Sequence, residues 1–198
     1  MAHKIWTTPN ILTFFRFFLV PIIVVFVLLD KPITLFFAGI LFIIASITDW
    51  LDGKIAREWG EESTLGIYLD PLVDKILVHS ILIVLSLIGL LPFWLVMILL
   101  ARDIITSAIR SYVSRHKISV RAVKSGKLKM LFQTITISLV FIVSFLGKMG
   151  IALNYMDILF ILIQMFLITT IVISYIGLVD FFIKNRKILK KTALERYF

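Results

Sequence analysis

Long apolar runs interrupted at regular intervals by short polar breaks set the architecture of this chain. Ile11 to Leu29 is apolar apart from Arg16, which is enough residues to span a membrane as a helix. Asp30-Lys31-Pro32 breaks the run. Ile33 to Thr48 is uncharged, and its helix is expected to continue through Asp52 towards Arg57. Glu58 to Ser63 is a polar connection containing Gly60. Between Lys75 and Arg102 lie 26 uncharged residues. They form either one long span or two spans that carry charges at one end, since each crossing takes about 20 residues. Gly89-Leu90-Leu91-Pro92 in the middle reads as a tight break. Two spans gather Lys54, Arg57, the basic run from Arg110 to Lys129 and the stretch from Lys184 to Arg196 on one face, leaving Lys31 and Lys148 on the other. One span would split the basic clusters across the membrane. The tendency of cytoplasmic loops to be basic favours two. The third helix is therefore expected from near Leu65 and the fourth from near Pro92 to about Ser114. The fifth span is Met130 to Gly147 with a polar lead-in at Ser125–Lys129, and the sixth is Ile158 to Val179.

The pattern predicts an all-α membrane protein with six transmembrane helices and both termini in the cytoplasm. It is read as a single domain over residues 1–198, with a short interfacial segment at 1–10 and a basic tail at 184–198. Composition agrees: the chain is 60% hydrophobic with a mean hydropathy of +1.04. No small-residue cleavage site follows the first span, which is expected to be retained. With no cysteine, thiolate chemistry is excluded. The net charge of +9 fits cytoplasmic loops facing anionic lipid headgroups better than nucleic acid, because the basic runs carry no series of interleaved aromatic residues to stack on bases, Tyr112 being the one aromatic within them.

Four carboxylates break the apolar pattern where it can least accommodate them. Asp49 and Asp52 are three apart and Asp70 and Asp74 four apart, so on helices each pair shares a face. Individually they have ordinary explanations. Asp70 before Pro71 could cap a helix N-terminus, and Asp49 and Asp52 could pair with Lys54 or Arg57. Together they carry more charge than those cations balance, and acids at membrane depth are costly enough to suggest function. Two helices each presenting a pair of acids would hold hard divalent cations, which prefer oxygen ligands. Gly53, Ala56 and Gly66 stand beside the acids, where small residues serve either close helix packing or the approach of a bulky ligand.

The spacing Asp49-x2-Asp52-Gly53-x2-Ala56-Arg57-x8-Gly66-x3-Asp70-x3-Asp74 resembles the signature of the CDP-alcohol phosphatidyltransferases at every position. The resemblance implies transfer of a phosphatidyl group from a CDP-linked lipid to an alcohol, with release of CMP. It also implies the six-helix fold, a homodimer, and two divalent ions, Mg²⁺ or Mn²⁺. Carried over by position, Asp49, Asp52, Asp70 and Asp74 would hold the metals, and Asp74 would also be the general base. Asp52, Gly53, Ala56, Arg57 and Gly66 would line the CDP-lipid site. The setting would be a bacterial cytoplasmic membrane, with the site open to the cytosol.

The signature leaves the acceptor open. Arg102, Thr106 and Arg110 recur at four-residue steps in the fourth helix, and Asp103 is placed to orient Arg110 by a salt bridge. The Ser125–Lys129 lead-in offers helix N-terminal N–H groups and a lysine, which suit an anion. Arg110, Arg121 and Lys127 are therefore expected to bind an acceptor phosphate, making glycerol 3-phosphate the expected acceptor and CDP-diacylglycerol the donor, with inositol phosphate or serine as alternatives. Pro9-Asn10-Ile11-Leu12-Thr13-x2-Arg16-x4-Pro21 and the lead-in are similar to the glycerol-3-phosphate-using branch of that family, although Met130 stands where that branch has threonine. Arg16 is expected either to face the bundle interior as a partner for one of the acids or to snorkel to the interface. A divalent-cation transporter is the rival reading; it would want acids on both halves of a membrane path, and here they gather at one end.

Overall fold

A computed structural model describes residues 8–59, 64–115, 124–151 and 155–194. The described residues form six helices: α1 (Thr8–Leu28), α2 (Pro32–Trp59), α3 (Thr64–Leu87), α4 (Phe93–Arg115), α5 (Lys124–Lys148) and α6 (Met156–Leu194). No strand occurs among the described residues. The helices end where backbone chemistry stops them. Gly89, at φ 80°, follows α3; its N–H donates to the carbonyl of Ser86 and that of Leu90 to Leu85. This pairing closes a helix C-terminus around a left-handed residue, which glycine adopts without a Cβ penalty. Gly150, at φ 71°, repeats the pattern after α5, with Gly150 donating to Gly147 and Ile151 to Leu146. Asp30 holds the equivalent left-handed turn after α1 at φ 50°. The expected break at Gly89–Pro92 is thus a closed helix end followed by a new helix.

The third helix starts where it was expected, which closes one alternative, and one expectation shifts. α3 begins at Thr64, so Asp70 lies well inside the helix and is not its N-cap. α6 continues past Val179 to Leu194, through the stretch read as a basic tail. Lysine, arginine, leucine and alanine are all good helix formers, so charge there does not interrupt the helix.

Three helices contain stretches long and apolar enough to cross a membrane: Ile11–Leu28 in α1, Leu128–Lys148 in α5 and Met156–Ile183 in α6. The apolar part of α2, Pro32–Thr48, is shorter. Large side chains such as Phe18, Ile33, Ile161 and Ile176 are exposed. Apolar surface on that scale is what hydrocarbon, not water, solvates. The chain is an integral membrane protein.

The helices form two compact units, Met1–Leu91 with Ile137–Ile161, and Pro92–Thr136 with Leu162–Phe198. In the first, α1 packs against both α2 and α3. Ile23, Val27, Leu35, Ala38, Phe42, Leu77, Ile81, Leu85 and Phe141 are buried. Gly39 permits the close approach of Phe141: a Cβ at residue 39 would meet the Phe141 Cβ at 3.0 Å. In the second unit Val96, Leu99, Ile163, Leu167 and Phe181 are buried, together with a charged cluster described below.

Candidate functional site

Helix α3 carries Gly66, Asp70 and Asp74 on one helical face, and α1 supplies their polar partners. Thr13 and Arg16, one turn apart on α1, are almost completely buried at 1% and 0% exposure. The Thr13 hydroxyl donates to Asp70 Oδ1 at 2.5 Å. Arg16 Nη1 donates to Asp74 Oδ1 at 2.7 Å. The two rungs tie α1 to α3. Of the two expectations for Arg16, the interior partner of an acid is the one realised, and the acid is Asp74. The Asp74 side chain keeps 21% of its surface exposed. It is therefore held by a buried cation while still reachable from outside the core.

Asp49, Asp52, Gly53, Ala56 and Arg57 fall on α2, whose helix runs unbroken to Trp59. The helical reading of that stretch holds. Their side chains, and with them the convergence of Asp49 and Asp52 on Asp70 and Asp74, lie outside the described residues. Among the described residues no three His, Cys, Asp or Glu side chains cluster; Asp70 and Asp74 are two of the expected four. The chemistry of this donor pair fits a hard divalent cation. Both groups are oxygen ligands one helical turn apart, and each is oriented by an outer hydrogen bond, as metal-binding carboxylates commonly are.

The second unit holds a different polar centre. Arg102 and Asp103 on α4 and Lys129 on α5 are all more than nine-tenths buried. Asp103 accepts from Arg102 Nη1 at 3.1 Å through one oxygen and from Lys129 Nζ through the other. Arg102 Nε also donates to the carbonyl of Ser174 on α6 at 2.8 Å. The Thr106 hydroxyl donates to the Arg102 carbonyl at 2.9 Å, one turn back. The expected face of Arg102 and Thr106 is therefore buried among α4, α5 and α6. Arg110 falls on α4 and Lys127 on α5, with side chains outside the described residues, so the expected Asp103–Arg110 pair lies there too. Arg121 lies outside the described residues altogether.

Two contributors escaped the sequence reading: Thr13 as a donor to Asp70, and Lys129 as a partner of Asp103. The signal for Thr13 was its position three residues before Arg16, which puts both polar residues of an apolar span on one face. For Lys129 it was four-residue spacing to Gln133, which is buried on the same helix.

The profile of the CDP-alcohol phosphatidyltransferase family matches residues 6–177. Similar proteins carry the name CDP-diacylglycerol–glycerol-3-phosphate 3-phosphatidyltransferase. One, from Cereibacter sphaeroides, is 33% identical over 141 residues, covering 69% of this chain and 64% of that protein. A second, from Rickettsia typhi, is 31% identical over 150 residues, covering 76% and 82%. A third, from Escherichia coli, is 34% identical over 135 residues, covering 66% and 74%.

Proposed function

This chain belongs to the CDP-alcohol phosphatidyltransferase family, and we propose that it transfers the phosphatidyl group of CDP-diacylglycerol to glycerol 3-phosphate, releasing CMP in phospholipid synthesis. The observation that carries this reading is the complete spacing of the acids and small residues from Asp49 to Asp74, within a chain similar to enzymes named for that reaction. The geometry of Asp70 and Asp74 supports it. Both acids are fixed by buried donors, and the exposed part of Asp74 leaves room for a substrate.

Asp49, Asp52, Asp70 and Asp74 would hold two divalent ions, Mg²⁺ or Mn²⁺, which when bound neutralise the donor diphosphate and the charge that develops on the leaving group. Asp52, Gly53, Ala56, Arg57 and Gly66 line the cytidine diphosphate site. Gly53, Ala56 and Gly66 keep the helix surface low enough for the nucleotide, and Arg57 faces its charge. Asp74 takes the proton from the primary hydroxyl of glycerol 3-phosphate. The hydroxyl oxygen bonds to the lipid-bearing phosphorus, the bond from that phosphorus to the bridging oxygen breaks, and the electron pair departs with CMP. Positioning and electrostatic stabilisation carry most of the acceleration in such a transfer. Arg110, Arg121 and Lys127 bind the acceptor phosphate.

The topology that goes with this chemistry has six spans, both termini and the site on the cytosolic face of a bacterial cytoplasmic membrane, and a homodimer. The basic bias of one set of loops supports the orientation. An acceptor panel tests the function. Purified protein is given CDP-diacylglycerol and Mg²⁺ with glycerol 3-phosphate, inositol phosphate or serine, and CMP release is followed. Release with glycerol 3-phosphate alone is expected. Release with another acceptor reassigns the substrate, and release with none removes the transferase reading.

A further inference from the structure

We propose that Thr13 and Arg16 make α1 a working part of the site: they are positioning residues that hold the Asp70 and Asp74 carboxylates ready for the metal pair. The proposal deepens the transferase reading and rests on it.

An apolar span needs neither residue. A fully buried guanidinium is costly at membrane depth and is tolerated where a specific partner compensates it. Arg16, at 0% exposure, bonds to Asp74. Thr13 shows the same choice more sharply. Hydroxyls in helices commonly donate to the carbonyl one turn back. Thr136 and Thr170 do so at 2.8 Å, to Phe132 and Phe166. Thr13 reaches across to a side chain on α3.

The two rungs also fix a register. Thr13 and Arg16 are about 4.5 Å apart along α1, and Asp70 and Asp74 about 6 Å apart along α3, at 1.5 Å of rise per residue. The longer reach of arginine absorbs the difference. A slip of one helical turn, about 5.4 Å, would break both bonds at once. Two like charges one turn apart repel and favour rotamers that separate them. A donor on each carboxylate opposes this, so less ordering remains to be done when cations arrive, which is how preorganisation raises affinity.

The experiment reads Mn²⁺ binding by electron paramagnetic resonance on the full-length protein in detergent, alongside unfolding temperature without metal. Thr13→Val is expected to weaken Mn²⁺ binding about 10- to 100-fold, the usual effect of losing an outer partner of a ligand. Its metal-free unfolding temperature should stay close to that of wild type, and Thr13→Ser should restore binding. In turnover, Thr13→Val should lower kcat more than it raises the KM for glycerol 3-phosphate. Arg16→Lys keeps the charge and should bind Mn²⁺ more tightly than Arg16→Met. If Arg16→Met fails to fold, Arg16→Met with Asp74→Asn should recover folding, because the orphaned buried charge is gone. Unchanged Mn²⁺ affinity in Thr13→Val overturns the positioning role while leaving the transferase reading intact. No Mn²⁺ binding by the wild type overturns the positioning role, and no Mn²⁺ binding together with no CMP release in Mg²⁺ overturns both.

Discussion

Two buried polar centres in this protein use the same residue types with opposite charge balance. Among the described groups, the α1–α3 rungs set two carboxylates and a hydroxyl against one guanidinium. In the α4–α5–α6 cluster, one carboxylate faces a guanidinium and an ammonium. The first centre has a surplus of acid and leaves Asp74 partly exposed, whereas in the second all three charged groups are buried. Buried ion pairs are weak evidence for stability in either case, since desolvation offsets the Coulomb attraction. What separates the two centres is the sign left over. A surplus of acid calls for a cation from outside, which is how a metal site is built. The surplus of base is met within the protein in part by the Ser174 carbonyl, as suits a structural knot joining three helices.

The largest effect should come from removing the acid proposed as the base. Asp74→Asn keeps an amide oxygen to accept from Arg16 but cannot take a proton. Turnover should fall by about 10²- to 10⁴-fold, the usual contribution of general-base catalysis. Binding of CDP-diacylglycerol should persist, and metal-free unfolding temperature should fall, because buried Arg16 loses its charged partner. Near-full turnover would remove Asp74 from the role. The same change in the other centre should act mainly on stability. Asp103→Asn removes the carboxylate that buried Arg102 and Lys129 share. It should lower stability by about 3–5 kcal/mol, as breaking a buried pair does, measured by denaturant unfolding in detergent. If Asp103→Asn cost no more stability than Asp74→Asn, leftover charge would not be what distinguishes the centres.

These centres also mark how far the chain can be read before it folds. The break at Gly89–Pro92 was legible, because glycine and proline impose backbone limits wherever they fall, and so was the continuation of α2 through Asp52 towards Arg57. The spacing of the acids was legible because the helical repeat fixes which residues share a face. The extent of α6 was not: Lys184 to Lys191 looks like a solvated tail, and only the good helix propensity of its residues hinted otherwise. Nor was Thr13. Its neighbours Phe14 and Phe15 identify only an apolar helix, and a threonine there ordinarily bonds to its own backbone. Partner choice between helices depends on register, which pattern along one helix does not encode.

A smaller effect is expected at the proposed acceptor pocket. Arg110→Ala should raise the KM for glycerol 3-phosphate about 10- to 100-fold, because a hydrogen bond to a charged group contributes about 1.5–3 kcal/mol. The KM for CDP-diacylglycerol should barely move. An unchanged acceptor KM would take Arg110 out of the pocket and confine the basic surplus of α4 to its structural knot.

The smallest effect should come from the fourth described ion pair, which is the control for both centres. Lys148 Nζ donates to Asp30 Oδ2 at 2.8 Å, tying the end of α5 to the turn after α1. Its length matches the Arg16–Asp74 rung, but its side chains are 33% and 40% exposed, so water screens the attraction. After that discount the pair should contribute about 0–1 kcal/mol. Lys148→Met is the clean probe, because Asp30 also holds a left-handed backbone at φ 50° and replacing it would mix strain with lost charge. Unfolding in low and high salt should show a small loss for Lys148→Met that shrinks as salt rises, while the loss for Asp103→Asn persists. Equal salt sensitivity in the two variants would mean that burial does not shield the α4–α5–α6 cluster. The contrast between the two buried centres would then rest on Asp74 alone.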